Sequence, residues 1–248
     1  MKRQLMLVFT LLLSSIFSSS LVAQTKTREQ LLDEIGARRN ELEGLEQQFL
    51  AVSESDRAAY ADLLDEPDTG IFRLLPREKF DSETYKENQK TITMRGGGAY
   101  YSFSKRAHDY NSYPDISLDK DQLSAGFAGL NYGMLAKIVG VSLRELSAEN
   151  PYVTSLIRYE PPSNEAAIRS EQRRFGMGAV IAELSLKHSV QVELNTTYLL
   201  RSISYSGRSD ILVGLRVVRR DTDGSLIIAW KLLKNFRTPE VAKNIAAQ

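Results

Sequence analysis

The residues best suited to binding chemistry lie in one tyrosine-rich stretch, residues 100–113. It follows three consecutive glycines at 96–98, which let a ligand approach the backbone closely. Aromatic side chains can stack on a sugar or another flat ring, and neighbouring polar groups can hydrogen-bond its rim. The alternative is a strand that buries Tyr101 and Phe103 before a polar surface loop, since tyrosine suits strands for packing reasons alone. The residues predicted to bind a ligand are Tyr100, Tyr101, Arg106, His108, Asp109 and Tyr110.

Within this stretch His108 stands beside Asp109, and a histidine with an orienting carboxylate is the minimum for general-base catalysis. Adjacent residues on a strand point to opposite faces, so the two side chains would not pair directly there. A hydrolase would therefore need folding to bring a serine or a further carboxylate to His108 and Asp109. The sequence leaves this enzyme open as an alternative and does not identify its catalytic residues.

Other motif-based chemistries are missing from the sequence. It has no cysteine, and its two histidines, His108 and His188, are far apart in the chain, so no zinc site is predicted. No phosphate-binding GxxxxGK[ST] loop and no GxSxG nucleophile turn occurs. The acidic segment 221–224 could begin a calcium loop, but Asp and Gly are also what a tight hairpin turn requires, and we favour the turn. We therefore predict no cofactor and no metal ion.

The first 23 residues have the organisation of a secretory signal peptide. Lys2 and Arg3 precede a mainly apolar run at 5–16, and small and polar residues then lead to a predicted cut after Ala23. The run is shorter than the roughly 20 residues a spanning helix needs, so an uncleaved anchor is the less favoured alternative. No later stretch is apolar enough to span a membrane, and no disulfide can form. Together these features predict a periplasmic or secreted protein, more typical of a bacterium.

The charge balance excludes an electrostatic drive toward polyanions. Lys and Arg number 32 and Asp and Glu number 31, which gives a net charge of +1. Loss of Lys2 and Arg3 with the signal peptide changes this net charge to −1. We therefore predict no nucleic-acid partner.

Residues 27–52 are predicted to form one long helix, because their apolar residues follow the alternating four- and three-residue spacing of a heptad seam. Arg38 interrupts the seam, and Gly36 and Gly44 weaken the helix. A second, shorter helix is expected at 56–65. Two interpretations stay open: a coiled coil that provides self-association or binds a protein partner, and a helical hairpin that covers the protein's own sheet. The seam consists of Leu31, Ile35, Leu42, Leu45, Phe49 and Val52.

Later segments alternate apolar and polar residues, which is typical of β-strands. The clearest pair, 211–217 and 226–232, flanks the turn at 221–224, and its second strand is apolar on both faces, so it should be covered on both sides. Two helices are predicted between the groups of strands, one capped by Asn150 and one capped by Ser163. Glycines concentrated between 96 and 140 indicate bulges and bends.

We therefore predict an α+β fold in which an N-terminal helical hairpin is followed by a curved, mostly antiparallel β-sheet with two inserted helices. The expected divisions are a signal peptide at 1–23, the helical hairpin at 24–70 and the sheet domain at 71–248, with 71–90 as a connecting stretch. The predicted function is that of an exported, soluble, non-enzymatic binding or structural protein of the cell envelope or exterior.

Overall fold

A computed structural model describes residues 26–90, 94–111, 113–126 and 128–242. The predicted signal peptide at 1–23 lies outside the described residues. Helices and antiparallel sheets are both present, so the mixed α+β class is confirmed. The described residues divide into two compact units, one that ends at Glu43 and one that begins at Gly44. In the described part of the chain, no helix combines the length and the apolar character needed to cross a membrane.

The described part of the first unit is the beginning of a long helix, α1 (Arg28–Phe49). A reciprocal cap starts it: Gln30 N donates to the Thr27 hydroxyl at 3.2 Å, and Thr27 N donates to the Gln30 side chain at 2.9 Å. α1 contains no buried residue. The helical hairpin predicted for this region stays a prediction.

The second unit is built on a five-stranded antiparallel sheet, here called the central sheet. The turn at Asp221–Gly224 joins its two longest strands, and a backbone hydrogen bond from Gly224 N to Asp221 O (3.0 Å) closes that turn. In spatial order the strands are β1 (Thr69–Leu74), β12 (Leu226–Asn235), β11 (Ser209–Arg220), β10 (Thr197–Ser204) and β6 (Tyr132–Ile138).

A second antiparallel sheet, the outer sheet, consists of five short strands. Lys120 and Asp121 make its tightest turn, and both have the positive φ angles that a two-residue hairpin needs. Its strands in spatial order are β3 (Ala107–His108), β2 (Tyr100–Ser102), β4 (Ile116–Asp119), β5 (Gln122–Ser124) and β9 (Ser189–Gln191). A separate two-stranded hairpin is formed by β7 (Ala179–Ile181) and β8 (Leu184–Leu186).

Helices fill the connections. Two of them follow β6 in the chain: α5 (Pro151–Ile157), capped by the Asn150 side chain, and α6 (Glu165–Met177). The cap of α6 is Asn164, whose side chain accepts a hydrogen bond from Ala167 N, so the predicted cap at Ser163 was wrong by one residue. The shorter helices are α2 (Glu54–Ala59), α3 (Ala61–Leu64), α4 (Arg77–Phe80) and a 3-10 helix at Lys86–Lys90.

Both faces of the central sheet are buried, each in its own core. One core packs Phe72, Leu200 and Trp230 of the central sheet against Ile116 and other residues of the outer sheet. The other core packs the opposite face against helical residues such as Leu63, Leu156, Ile168 and Phe175. The alternation along each strand sends successive side chains to the two cores, which explains why β12 is apolar on both faces. Curvature of the sheet stays a prediction.

One strand lies in the stretch that we expected to be a connection, residues 71–90. β1 begins at Thr69 and forms the edge of the central sheet beside β12. Its run Ile71–Leu75 is short and apolar except for Arg73, and such a run does not reveal from spacing alone whether it is a strand or a helix. Tertiary pairing with β12 decides it.

Candidate functional site

The structure divides the six predicted binding residues between the core and a small cavity. Tyr101 belongs to the core: its ring stacks on Phe72 with ring centroids 3.7 Å apart, and burial raises its pKa to about 12. Arg106 is exposed, pairs with Asp68 and lies over the ring of Trp230 at 6.0 Å. These two side chains do not reach the cavity that receives the other four.

The other four, Tyr100, His108, Asp109 and Tyr110, line a cavity of about 160 Å³, here called the Tyr110 cavity. Tyr100 and Tyr110 meet edge to face with ring centroids 5.0 Å apart. Ligand pockets typically measure about 300–1,000 Å³, so this cavity is small for an organic ligand. Its other lining residues are Glu46, Met94, Arg95, Gly96, Gly98 and Asn111.

His108 is held by the central sheet rather than by a catalytic partner. Its Nε2 donates to the backbone carbonyl of Arg73 at 2.6 Å, at the outer edge of β1. Burial lowers the pKa of His108, and the hydrogen bond to Arg73 opposes that shift only in part. The imidazole is therefore neutral at neutral pH. One ring nitrogen is committed to the backbone, so only Nδ1 is left for a general base.

Asp109 likewise has partners of its own. Its carboxylate accepts from Lys105 Nζ at 2.7 Å and from Asn111 N at 2.8 Å. These bonds fix the loop that carries Tyr110. The hydrolase built on His108 and Asp109 stays a prediction.

Tyr100 is positioned by a buried carboxylate, Asp81. The Tyr100 hydroxyl donates to Asp81 at 2.7 Å, and burial raises the pKa of the phenol. Burial by itself would raise the pKa of Asp81 too, but hydrogen bonds from Thr84, from Tyr100 and from two backbone N–H groups lower it below its usual value. Arg77 Nε lies 3.6 Å from the same carboxylate. This cluster fixes one wall of the Tyr110 cavity.

A larger cavity of about 500 Å³ lies elsewhere, where the loop after α5 faces the segment after β12. We call it the Arg201 cavity. Its apolar walls are Ile157, Tyr159, Pro161, Pro162, Phe236 and Pro239, and its polar residues are Glu160, Ser163, Arg201, Asp210, Arg237, Thr238 and Glu240. Three prolines and two aromatic rings make rigid walls, because they have few side-chain rotamers to lose on binding.

The Arg201 cavity includes a buried ion pair. Arg201 Nε and Nη2 donate to the two carboxylate oxygens of Asp210 at 3.0 and 2.9 Å. Arg201 Nη1 donates to the carbonyls of Leu156 and Tyr159, which ties the end of α5 to β10. The guanidinium lies 3.8 Å from the centroid of the Phe236 ring. These contacts hold the polar and aromatic walls of the cavity in place.

Charges of both signs surround the mouth of the Arg201 cavity. Glu160, Arg237 and Glu240 are all exposed there, and Ser163 and Thr238 add hydroxyl groups. The arrangement offers apolar contact, hydrogen bonding and ion pairing to one occupant, which is the usual composition of a ligand pocket.

The carboxylates of the acidic turn at 221–224 bind other residues of the protein. Asp221 pairs with Arg73 and with Arg219, and Asp223 Oδ1 accepts from Ser225 N at 2.8 Å. Among the described residues, no group of three or more His, Cys, Asp or Glu side chains is placed to hold a metal ion.

The Arg201 cavity was not among the predicted sites, although the sequence contains two signals of it. Arg201 interrupts the apolar strand Leu199–Ile203, and Asp210 immediately precedes the apolar run that starts at Ile211. Opposite charges within neighbouring apolar strands indicate a buried pair, because an unpaired charge is costly to bury. The aromatic and proline walls come from segments distant in sequence, and nothing local connects them.

No protein-family model, no curated protein and no solved structure matches this chain.

Proposed function

We propose that this protein is an exported, non-enzymatic binding protein whose ligand occupies the Arg201 cavity. The observation that carries the proposal is the cavity's rigid aromatic and proline wall beside a buried ion pair. Its volume of about 500 Å³ falls within the range of small-molecule sites. The commitment of His108 Nε2 to a backbone carbonyl supports the non-enzymatic part of the proposal.

The residues that line the Arg201 cavity indicate the chemical class of its ligand. Tyr159 and Phe236 offer ring faces and edges, while Arg237 can pair with an acidic group and Glu160 or Glu240 with a basic one. We infer a small amphipathic molecule that combines a flat apolar group with a charged group. The walls of the cavity are already ordered before the ligand binds. Little binding free energy is therefore lost to rearrangement of the protein.

Binding of anilinonaphthalene sulfonate, a flat aromatic anion whose fluorescence rises in apolar surroundings, tests the site. We expect saturable binding at one site per chain. Thr238→Trp places a large side chain in the cavity and should weaken binding by roughly tenfold or more. Arg237→Glu, an exposed change that leaves the apolar wall intact, should weaken binding through charge reversal.

The matched control is Thr222→Trp, at the exposed turn on the opposite end of the β11–β12 pair. It should bind the dye as the wild type does. Dye binding that is unchanged in both Thr238→Trp and Arg237→Glu, or no saturable binding by the wild type, would overturn the proposal.

Export is the second part of the proposal, and residues 1–23 support it. Expression of the full chain in a bacterium, followed by fractionation and N-terminal sequencing, tests it. We expect a periplasmic or secreted product that begins at Gln24. A cytoplasmic product that retains Met1 would contradict export and leave the binding proposal standing.

We propose, in addition, that the protein self-associates through α1, as a coiled coil. Five members of the predicted seam, Leu31, Ile35, Leu42, Leu45 and Phe49, are exposed. A structural role in the envelope would follow from such an assembly. Light scattering on the mature protein tests it, and a monomeric mass would contradict it.

A further inference from the structure

The exposed apolar surface of this protein is concentrated on one helix. α1 carries six of the twelve large apolar side chains that are exposed in the described residues: Leu31, Leu32, Ile35, Leu42, Leu45 and Phe49. Single exposed apolar residues need no explanation, but a row of them along one helix marks an interaction surface. The row contains five of the six predicted seam residues together with Leu32. The sixth, Val52, lies after the end of α1 and is buried in the core, so its place in the predicted seam was wrong.

At its C-terminal end α1 makes a ring contact within its own chain, where Phe49 meets Phe80 edge to face with ring centroids 5.7 Å apart. Most helical stability in proteins comes from packing an apolar face rather than from intrinsic helix propensity. α1 buries no residue, and Gly36 and Gly44 lower its intrinsic helix propensity. A partner that covers the seam would supply the missing burial.

We propose that the partner is a second copy of the chain and that the two α1 helices pair antiparallel. This inference rests on the proposed self-association and adds the arrangement. In the proposed register, Leu31 faces Phe49 of the second copy and Ile35 faces Leu45 of the second copy. The two-fold symmetry repeats each contact, as in other paired identical surfaces.

The charges in the seam select this direction. Arg38 occupies the one polar position of the seam and pairs with Glu41 on the same helix at 2.8 Å. A parallel pair in register would place the two Arg38 side chains opposite each other, where like charges repel. In the antiparallel register Arg38 faces Leu42 of the second copy, and the two Arg38–Glu41 pairs lie side by side at the centre.

The direction has a consequence for binding. The rest of each chain continues from the C-terminal end of its α1, and antiparallel pairing puts those two ends apart. From Leu31 to Phe49 the seam is roughly 27 Å long, at about 1.5 Å per residue. A dimer of this kind carries two Arg201 cavities, one on each chain, and a ligand that fills both would bind with a gain in avidity.

Sedimentation and light scattering on the mature protein test the association. We expect a dimer for the wild type, a monomer for Leu42→Lys and a dimer for the matched control Asn40→Lys, which places the same side chain on the opposite face of α1. Both positions are exposed, so neither change threatens the fold, and far-ultraviolet circular dichroism checks this. A monomeric wild type, or a dimeric Leu42→Lys, would overturn pairing through the seam.

Disulfide formation tests the direction, and the cysteine-free sequence leaves no background. Ile35→Cys and Leu45→Cys are prepared separately, one of them with an affinity tag, then mixed and oxidised. Antiparallel pairing predicts a mixed disulfide between the two variants and little dimer from either alone, because a disulfide needs Cα atoms within about 7 Å. Efficient homodimers of each variant alone, without the mixed product, would show a parallel pair and overturn the antiparallel arrangement.

The two experiments test different parts of the proposal. A monomeric wild type removes the self-association itself, whereas a dimer that forms only homotypic disulfides keeps self-association and removes the antiparallel direction.

Discussion

Arg201 and Asp210 form a doubly hydrogen-bonded ion pair that is almost completely removed from solvent, with exposed fractions of 1% and 2%. The pair joins β10 to β11 and, through Arg201 Nη1, the end of α5. Its geometry is the bidentate one that suits a guanidinium and a carboxylate. Removal of one member of such a pair leaves the other as a buried charge without a partner, which costs a large part of the protein's stability.

Arg201→Ala should lower the free energy of unfolding by about 3–5 kcal/mol, because it leaves the Asp210 carboxylate buried without its counter-charge. Urea denaturation measures the change. The control is Arg169→Ala, which breaks an exposed pair with Glu165 on α6 and should cost less than about 1 kcal/mol. Arg201→Met combined with Asp210→Leu removes both charges and should recover part of the loss. Equal losses in Arg201→Ala and Arg169→Ala would contradict this assignment.

Because of His108, the free energy of unfolding should decrease as the pH is lowered. Its folded-state pKa is lowered by burial, so the unfolded chain takes up a proton near the usual pKa of about 6.5 while the folded chain is still neutral. The stability it contributes is present above that pH and is lost as the pH falls below it. Urea denaturation at about pH 8 and about pH 5 should show a smaller decrease for His108→Asn than for the wild type.

The control for this pH dependence is His188→Asn, at an exposed position. Its decrease between the two pH values should match that of the wild type. If His108→Asn kept the full pH dependence, the neutral, backbone-bound imidazole would not be its source.

Ser202→Ala removes a hydrogen bond between the two sheets and should lower the free energy of unfolding by about 1.5–3 kcal/mol at neutral pH. The Ser202 hydroxyl donates to Asp115 at 2.7 Å, and Phe103 N donates to the same carboxylate at 2.8 Å. Burial raises the pKa of Asp115, so its contribution to stability declines as the pH rises above about 3.9. Loss of the Ser202 donor raises this pKa further and extends the decline to higher pH. Ser185→Ala, at an exposed strand position, is the control. Losses that are equal for the two serines would contradict the role of Ser202.

Gly97→Ala should destabilise the fold by about 2–4 kcal/mol. Gly97 has a φ of +59°, and a Cβ there would overlap the backbone carbonyl of Phe80, next to the Tyr110 cavity. Gly176→Ala, within α6 and with open space around it, should stabilise by about 0.5–1 kcal/mol. Thermal unfolding compares the two. A tolerated Gly97→Ala would show that the loop before Tyr100 can shift.

Local signals in the sequence located elements better than they located the site. Pro151 after Asn150 marked the start of α5 because capping and proline geometry depend on adjacent residues only. The apolar run before Pro76 did not reveal β1, since a strand at a sheet edge is defined by its partner β12. Caps and turns are local, whereas strand pairing is not.

Local signals also could not decide where each predicted binding residue in 100–113 would lie. Four of the six predicted residues meet at the Tyr110 cavity, but Tyr101 lies in the core. Alternation along β2 separates Tyr100 from Tyr101, and it does not say which face becomes the core. That choice came from the outer sheet packing on Phe72.

The sequence by itself determined the α+β class, the absence of thiol chemistry and the heptad spacing of α1, because composition and periodicity are properties of the chain. Only the tertiary structure decided that the Arg201 cavity exists. Its walls come from the loop after α5, from β10 and from the segment after β12, which are distant in sequence. Charges within or beside apolar strands indicate that Arg201 and Asp210 are paired, but the walls around the pair form only when these distant segments pack together, and no local pattern encodes them.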